Sequence, residues 1–341
     1  MKYRILGKTG LKVSQVGFGG IPIIPLSFPQ AESCIARALD LGINFIDTAR
    51  AYKDSEDKIG KTLKALHWER ENIVIATKAI PKNTEFVLKS LDESLKLLQT
   101  DYIDLFQIHN VGNQEKLDIS LKILDALLEA KDQGKIRHIG ASVHGVEWAN
   151  TVIRSGVFET IMLALNFIAW DPVDLVLPVA REYQVGVLAM KPMAGGEIAD
   201  PLLAFKFFLG LEDVIPVVGV KTPREIEDVV KIIEQETLPT EMEIREMERI
   251  RRETGDMFCR RCSYCMPCPH GVDIVSINIF PSIIKRYPVK EMLESGMEES
   301  LKSFEKCQDC GECEKKCPFD LRIRQIMKKG FEEYLSVIKQ G

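Results

Sequence analysis

From Val16 onward the chain repeats one unit eight times, a short apolar run followed by a longer segment of helical period. The runs are VGFGG from Val16, INFIDT from Ile43, NIVIATK from Asn72, YIDLFQIH from Tyr102, KIRHIGAS from Lys135, IMLALN from Ile161, VGVLAM from Val185 and VIPVVGV from Val214. Most are nearly unbroken apolar stretches, which is how strands buried on both faces of a parallel sheet read. Between them, Val87, Leu91, Leu95 and Leu98 fall three or four apart, and the segment from Ile119 to Ala130 repeats that spacing, so both read as helices laid on the sheet. Eight such units are the build of an α/β fold closed into a (β/α)8 TIM barrel. An open doubly wound sheet is the competing arrangement, but it wants G-x-G-x-x-G at its first strand-to-helix turn, and GFGGIPIIP does not supply it. The opening YRILGKTGLKVSQ reads as a hairpin capping the barrel floor.

Seven of the eight apolar runs exit on a polar residue: Asp47, Lys78, His109, Ser142, Asn166, Lys191 and Lys221. Parallel strands of a barrel deliver all such ends to one rim, where active sites of this architecture are built. One polar exit says only that a strand has ended, whereas seven at one mouth make a candidate site. Tyr52 follows Asp47 by five residues, in the loop after the second strand. Carbonyl reduction needs a proton donor, and a phenol with an ordinary pKa of about 10 is a reluctant one. A nearby Lys78 ammonium would favour the phenolate, Asp47 would hold that ammonium, and His109 could orient the carbonyl.

Composition narrows the remaining classes. The 341 residues are 45% apolar and 28% charged, enough for a large core and against global disorder. With 45 Lys and Arg against 50 Asp and Glu, there is no basic field to gather nucleic acid. No apolar run reaches the roughly 18 residues of a membrane span, and MKYRILGKTG lacks a signal peptide's apolar stretch, so a cytoplasmic protein is expected. Eight of the nine cysteines fall between Cys259 and Cys317, with Cys34 apart on the first expected helix, where it should simply pack. Without a secretion signal, such crowding argues for metal over disulfides. The expected division is a barrel over 1–238, a connecting helix over 239–255 carrying Ile244, Met247 and Ile250, and a cysteine-rich domain over 256–341.

The segments GINFIDTARAY, IVIATK, SLDESLKLLQTDYIDLFQIH and GKIRHIGAS resemble motifs of the aldo-keto reductase superfamily, in family order over roughly residues 3–235. That resemblance implies a catalytic tetrad of Asp47, Tyr52, Lys78 and His109, with hydride passing from NADPH to the carbonyl of a small aldehyde or ketone, or from a small alcohol in reverse. It also implies cofactor-binding positions. Gly20 lies beyond the first strand, Ser142 matches the serine that holds the carboxamide, Asn166 replaces a Gln, and Met190 replaces a stacking aromatic. Lys191, Gly195 and Gly196 could face the pyrophosphate. Gly219, Lys221 and Thr222 open a helix suited to an anion, Arg224 matches an arginine on the 2′-phosphate, and Glu227 and Asp228 match adenine contacts. NADP is favoured over NAD.

CRRCSYCMPCP from Cys259 and CQDCGECEKKCP from Cys307 resemble the bacterial ferredoxin pattern, the first one residue short before its fourth cysteine. The resemblance implies a mainly helical, ferredoxin-like appendage with two 4Fe-4S clusters. One would take Cys259, Cys262, Cys265 and Cys317, the other Cys307, Cys310, Cys313 and Cys268. Structural zinc is the competing reading, since zinc also takes four thiolates. Two functions stay open: a carbonyl reductase carrying clusters, and an electron-transfer chain whose clusters serve a protein partner while the barrel docks or senses.

Overall fold

The computed structural model describes residues 1–261, 263–284, 288–317 and 319–340. The chain divides into two compact units, Met1–Glu243 and Ile244–Gly341. The expected connecting range holds a helix, Glu241–Thr254.

In the first unit, eight strands form a closed parallel barrel: β3 (Gly17–Gly19), β4 (Phe45–Asp47), β5 (Val74–Ala79), β6 (Ile103–Ile108), β7 (Ile136–Ser142), β8 (Thr160–Ala164), β9 (Gly186–Met190) and β10 (Val214–Val218). Each pairs with its sequence neighbour, and β10 returns to β3. Every residue of β5 and of β6 is buried, the two-faced burial that their unbroken apolar runs imply. Helices cover the outside. Thr84–Leu98 starts on Asn83, whose side chain accepts from the Phe86 N–H at 2.8 Å, and it buries Val87, Leu91 and Leu98. Phe28–Asp40 starts on a capping box between Ser27 and Gln30 and buries Cys34 among its apolar residues.

The barrel interior is layered by the two-residue period of its strands. Phe45, Val74, Ala76, Leu105, Met162, Leu188, Ile215 and Val217 form one apolar cluster, joined from below by Leu6 and Val13. Leu6 follows β1 (Tyr3–Ile5) and Val13 lies within β2 (Lys12–Ser14), and the antiparallel pairing of these strands is the expected floor cap. The fit is tight: a Cβ on Gly7 would lie 2.2 Å from the Gly186 backbone nitrogen, and Gly7 has φ +51°.

The second unit is helical among its described residues. The two helices that pack to form its centre are Ile274–Ile283 and Ile323–Gln340. Ile274, Ile277, Phe280, Leu301, Met327 and Tyr334 build its core, and Cys265 and Cys317 are buried within the same cluster. Among the described residues no helix is long and apolar enough to cross a membrane.

Candidate active site and cysteine centre

Two-residue periodicity carries each interior row from apolar to polar at the upper rim. Val74 and Ala76 lead to Lys78, Phe45 leads to Asp47, and Leu105 leads through Gln107 to His109. Asp47 and Lys78 are both buried, and Lys78 Nζ donates to Asp47 Oδ2 at 2.6 Å and to the Thr48 carbonyl at 2.7 Å. Gln107 Nε2 donates to the other carboxylate oxygen, Oδ1, at 3.1 Å. Burial pushes the Asp47 carboxyl up and the Lys78 ammonium down, while their mutual contact opposes both shifts, helped at Asp47 by the hydrogen bond from Gln107.

Tyr52 sits over this pair, with Lys78 Nζ 5.1 Å from its ring centroid. The His109 ring meets it edge-on, at 5.8 Å between centroids and 84° between planes. Burial, then the positive charges of Lys78 and Lys116, bring His109 down to about 3, so its imidazole is neutral near pH 7. Among the described residues the buried His109 Nδ1 has no hydrogen-bond partner. The four tetrad positions expected from sequence are thus gathered at one end of the barrel.

The loop carrying Tyr52 is fastened by residues that the sequence does not single out. Thr48 and Arg50 continue the ladder past β4, their N–H groups donating to the carbonyls of Ala76 and Lys78. The Arg50 guanidinium reaches back to Glu56 and, at 2.9 Å, to Glu93. Glu56, fully buried, also accepts from Thr77 Oγ1 at 2.6 Å and Ser94 Oγ at 2.7 Å. Gln107 had a readable signal, being a polar residue in a buried strand two places before His109. The Glu56 cluster had none, since it joins residues far apart in sequence.

The expected cofactor positions differ in how free they are. Gly20 donates its N–H to the Asp47 carbonyl at 2.8 Å, and a Cβ there would lie 2.4 Å from Ser55 Oγ. Ser142 Oγ accepts from the Asn110 N–H at 2.9 Å and keeps its own proton to donate. Asn166 instead ties loops together: Oδ1 accepts from Ile168 and Ala169, and Nδ2 donates to the Lys191 carbonyl at 3.0 Å. Its oxygen is fully used, leaving one N–H for any ligand. Half-buried Met190 packs on the interior cluster. Lys191, Ala194, Gly195 and Gly196 all have positive φ, and the Ala194 and Gly196 N–H groups are spent inside this turn, donating to the Lys191 and Met193 carbonyls at 2.8 Å. Beyond β10, a Cβ on Gly219 would lie 2.4 Å from Pro22 Cγ. Thr222 caps the helix Pro223–Glu234, but Glu225 already accepts from the Lys221 N–H at 2.7 Å. Arg224 and Asp228 are exposed, and Glu227 is paired with Arg37 at 2.7 Å.

In the second unit, Cys307, Cys310 and Cys313 share with Cys268 and Cys265 a recess that Val272, Ile274 and Met327 also line. Arg324, on the same recess, is held by Glu314 at 2.8 Å. The set Cys268, Cys307, Cys310 and Cys313 is the one the ferredoxin resemblance implies, and four thiols with an apolar lining fit an iron-sulfur group. No group of three or more His, Cys, Asp or Glu among the described residues is placed to hold a metal ion directly. Of the other set, Cys259 packs on the cluster that buries Cys265 and Cys317, while Cys262 lies outside the described residues.

Comparison with known proteins gives a match in each unit. Residues 15–200 match the model of the aldo/keto reductase family, and residues 258–322 match a 4Fe-4S dicluster domain. L-galactose dehydrogenase of Arabidopsis thaliana is 34% identical over 59% of this chain and 68% of its own length. Aldo-keto reductase YhdN of Bacillus subtilis is 30% identical over 58% of this chain, a match spanning 63% of YhdN. Among solved structures, the holo form of aldo-keto reductase AKR11C1 from Bacillus halodurans superposes with a TM-score of 0.65 at 26% identity, over 73% of this chain and 96% of that one.

Proposed function

The chain belongs to the aldo/keto reductase family and carries a C-terminal 4Fe-4S dicluster domain, and we propose that it reduces a small aldehyde or ketone with NADPH, Tyr52 giving the proton. The observation that carries this reading is the hydrogen-bonded Asp47–Lys78 pair buried beneath the Tyr52 ring. Bound nicotinamide supplies the hydride. As charge builds on the carbonyl oxygen, Tyr52 donates its phenolic proton, and the adjacent Lys78 ammonium stabilises the phenolate left behind. Asp47 holds Lys78 in place and balances its charge. Neutral His109 orients the carbonyl by a hydrogen bond, adding no charge of its own. In the reverse direction Tyr52 takes the proton from an alcohol.

Ser142, Met190 and the left-handed turn of Lys191, Gly195 and Gly196 are the residues that would hold the nicotinamide and pyrophosphate. Exposed Arg224 would take the 2′-phosphate, favouring NADP over NAD. Two 4Fe-4S clusters, on Cys259, Cys262, Cys265 and Cys317 and on Cys268, Cys307, Cys310 and Cys313, complete the proposal. The test is NADPH oxidation with a panel of small aldehydes by iron-loaded protein, beside Tyr52→Phe and Cys307→Ser. Loss in Tyr52→Phe alone makes the clusters dispensable for reduction, and loss in both couples the two units. If the unmodified protein consumes no NADPH with any carbonyl, the reductase reading fails.

A further inference from the structure

Helix Ile274–Ile283 presents two different sides to its own unit. At 100° per residue, Ile277 and Phe280 lie together on one side, which packs on the helix Ile323–Gln340. There a Cβ on Gly330 would lie 2.2 Å from the Ile277 carbonyl, and the Phe280 and Tyr334 rings stand 6.1 Å apart. Ile274, Asn278 and Ser282 are spaced four apart and form a second side. Both ends of this second side touch the cysteine runs. Ile274 lines the recess of Cys268, Cys307, Cys310 and Cys313. Ser282 Oγ accepts from Arg261 Nη2 at 3.0 Å, in the run that begins at Cys259. Asn278, one turn from each, is 8% exposed. Neither its Nδ2 nor its Oδ1 has a hydrogen-bond partner among the described residues.

A buried carboxamide with both ends unpaired is costly in an otherwise apolar unit, and its partner is to be sought on the sulfur-bearing side. We propose that Asn278 Nδ2–H donates to a sulfur of an iron-sulfur cluster held by these cysteines and thereby raises that cluster's reduction potential. Cluster sulfurs accept hydrogen bonds, and each bond to them favours the more negative, reduced form. The couple takes one electron from an added reductant; no covalent bond forms or breaks, and the proton stays on Asn278. Asn278 is a positioning and tuning residue, not a catalytic one. The inference rests on the iron-sulfur part of the proposed function and not on carbonyl reduction.

The experiment is an anaerobic redox titration of the full-length, iron-loaded protein with dithionite, followed by EPR, for the unmodified chain, Asn278→Leu and Asn278→Asp. One midpoint should move to a more negative value in Asn278→Leu, at unchanged iron and sulfide content. In D2O, pulsed EPR of the reduced unmodified protein should show an exchangeable deuteron coupled to a cluster, and Asn278→Leu should lose that coupling. A merely structural asparagine would move neither readout. Midpoints and couplings identical to the unmodified protein would overturn the proposal. Should Asn278→Leu fail to retain iron, Asn278→Asp keeps the shape without the N–H donor, and an unchanged midpoint there overturns it equally. Absence of iron from the unmodified protein would instead end the cluster reading itself, before Asn278 is tested.

Discussion

The barrel rim and the cysteine unit are built on opposite terms. At the rim, buried charges find partners within the chain: Asp47 with Lys78 and Gln107, and Glu56 with Arg50, Thr77 and Ser94. In the second unit thiols gather round a recess, and among the described residues Asn278 is buried without a hydrogen-bond partner. The contrast teaches that the rim site is organised by folding alone, whereas, on the proposed cluster reading, the C-terminal unit is completed by what it binds.

The broadest way to break that contrast is to remove iron. Anaerobic chelation should leave Ile244–Gly341 open to limited proteolysis while Met1–Glu243 resists; equal resistance of both units would erase the distinction. Within the barrel, Tyr52→Phe should lower the carbonyl-reduction rate by about 10²–10⁴-fold with little change in melting temperature. Lys78→Met strands a buried Asp47 carboxylate and should cost about 3–5 kcal/mol by denaturant unfolding. Acid should reveal His109. It is held at about 3 in the fold against an ordinary 6.5, so the unfolded chain binds the extra proton between those values. Stability should therefore be fully present above pH 6.5 and fall by up to about 4–5 kcal/mol toward pH 3, and His109→Gln should flatten that slope. The smallest effect belongs to Gln107→Leu. Loss of its bond to Asp47 should cost about 1–3 kcal/mol, measured as a shift in the urea midpoint.

How much was legible in the sequence follows the same division. The eight strands could be read because burial on both faces leaves no alternation to confuse them with surface strands, and the rim residues because strand exits carry the polar break. Gln107 escaped attention although its neighbour did not: its partner Asp47 is 60 residues away, and only the curvature of the barrel brings them together. Asn166 was expected to hold the cofactor, but its position after β8 also lets one side chain satisfy three backbone groups, a role no spacing rule announces. In the second unit the cysteine spacing points to the ligand sets, while Asn278 reads like any polar residue on a helix. Its burial depends on contacts that spacing does not encode.

The hairpin beneath the barrel has a further consequence. With Leu6 and Val13 joined to the interior cluster, the cylinder is a filled plug rather than a pore, and whatever reacts here has to do so on top of it, at the rim.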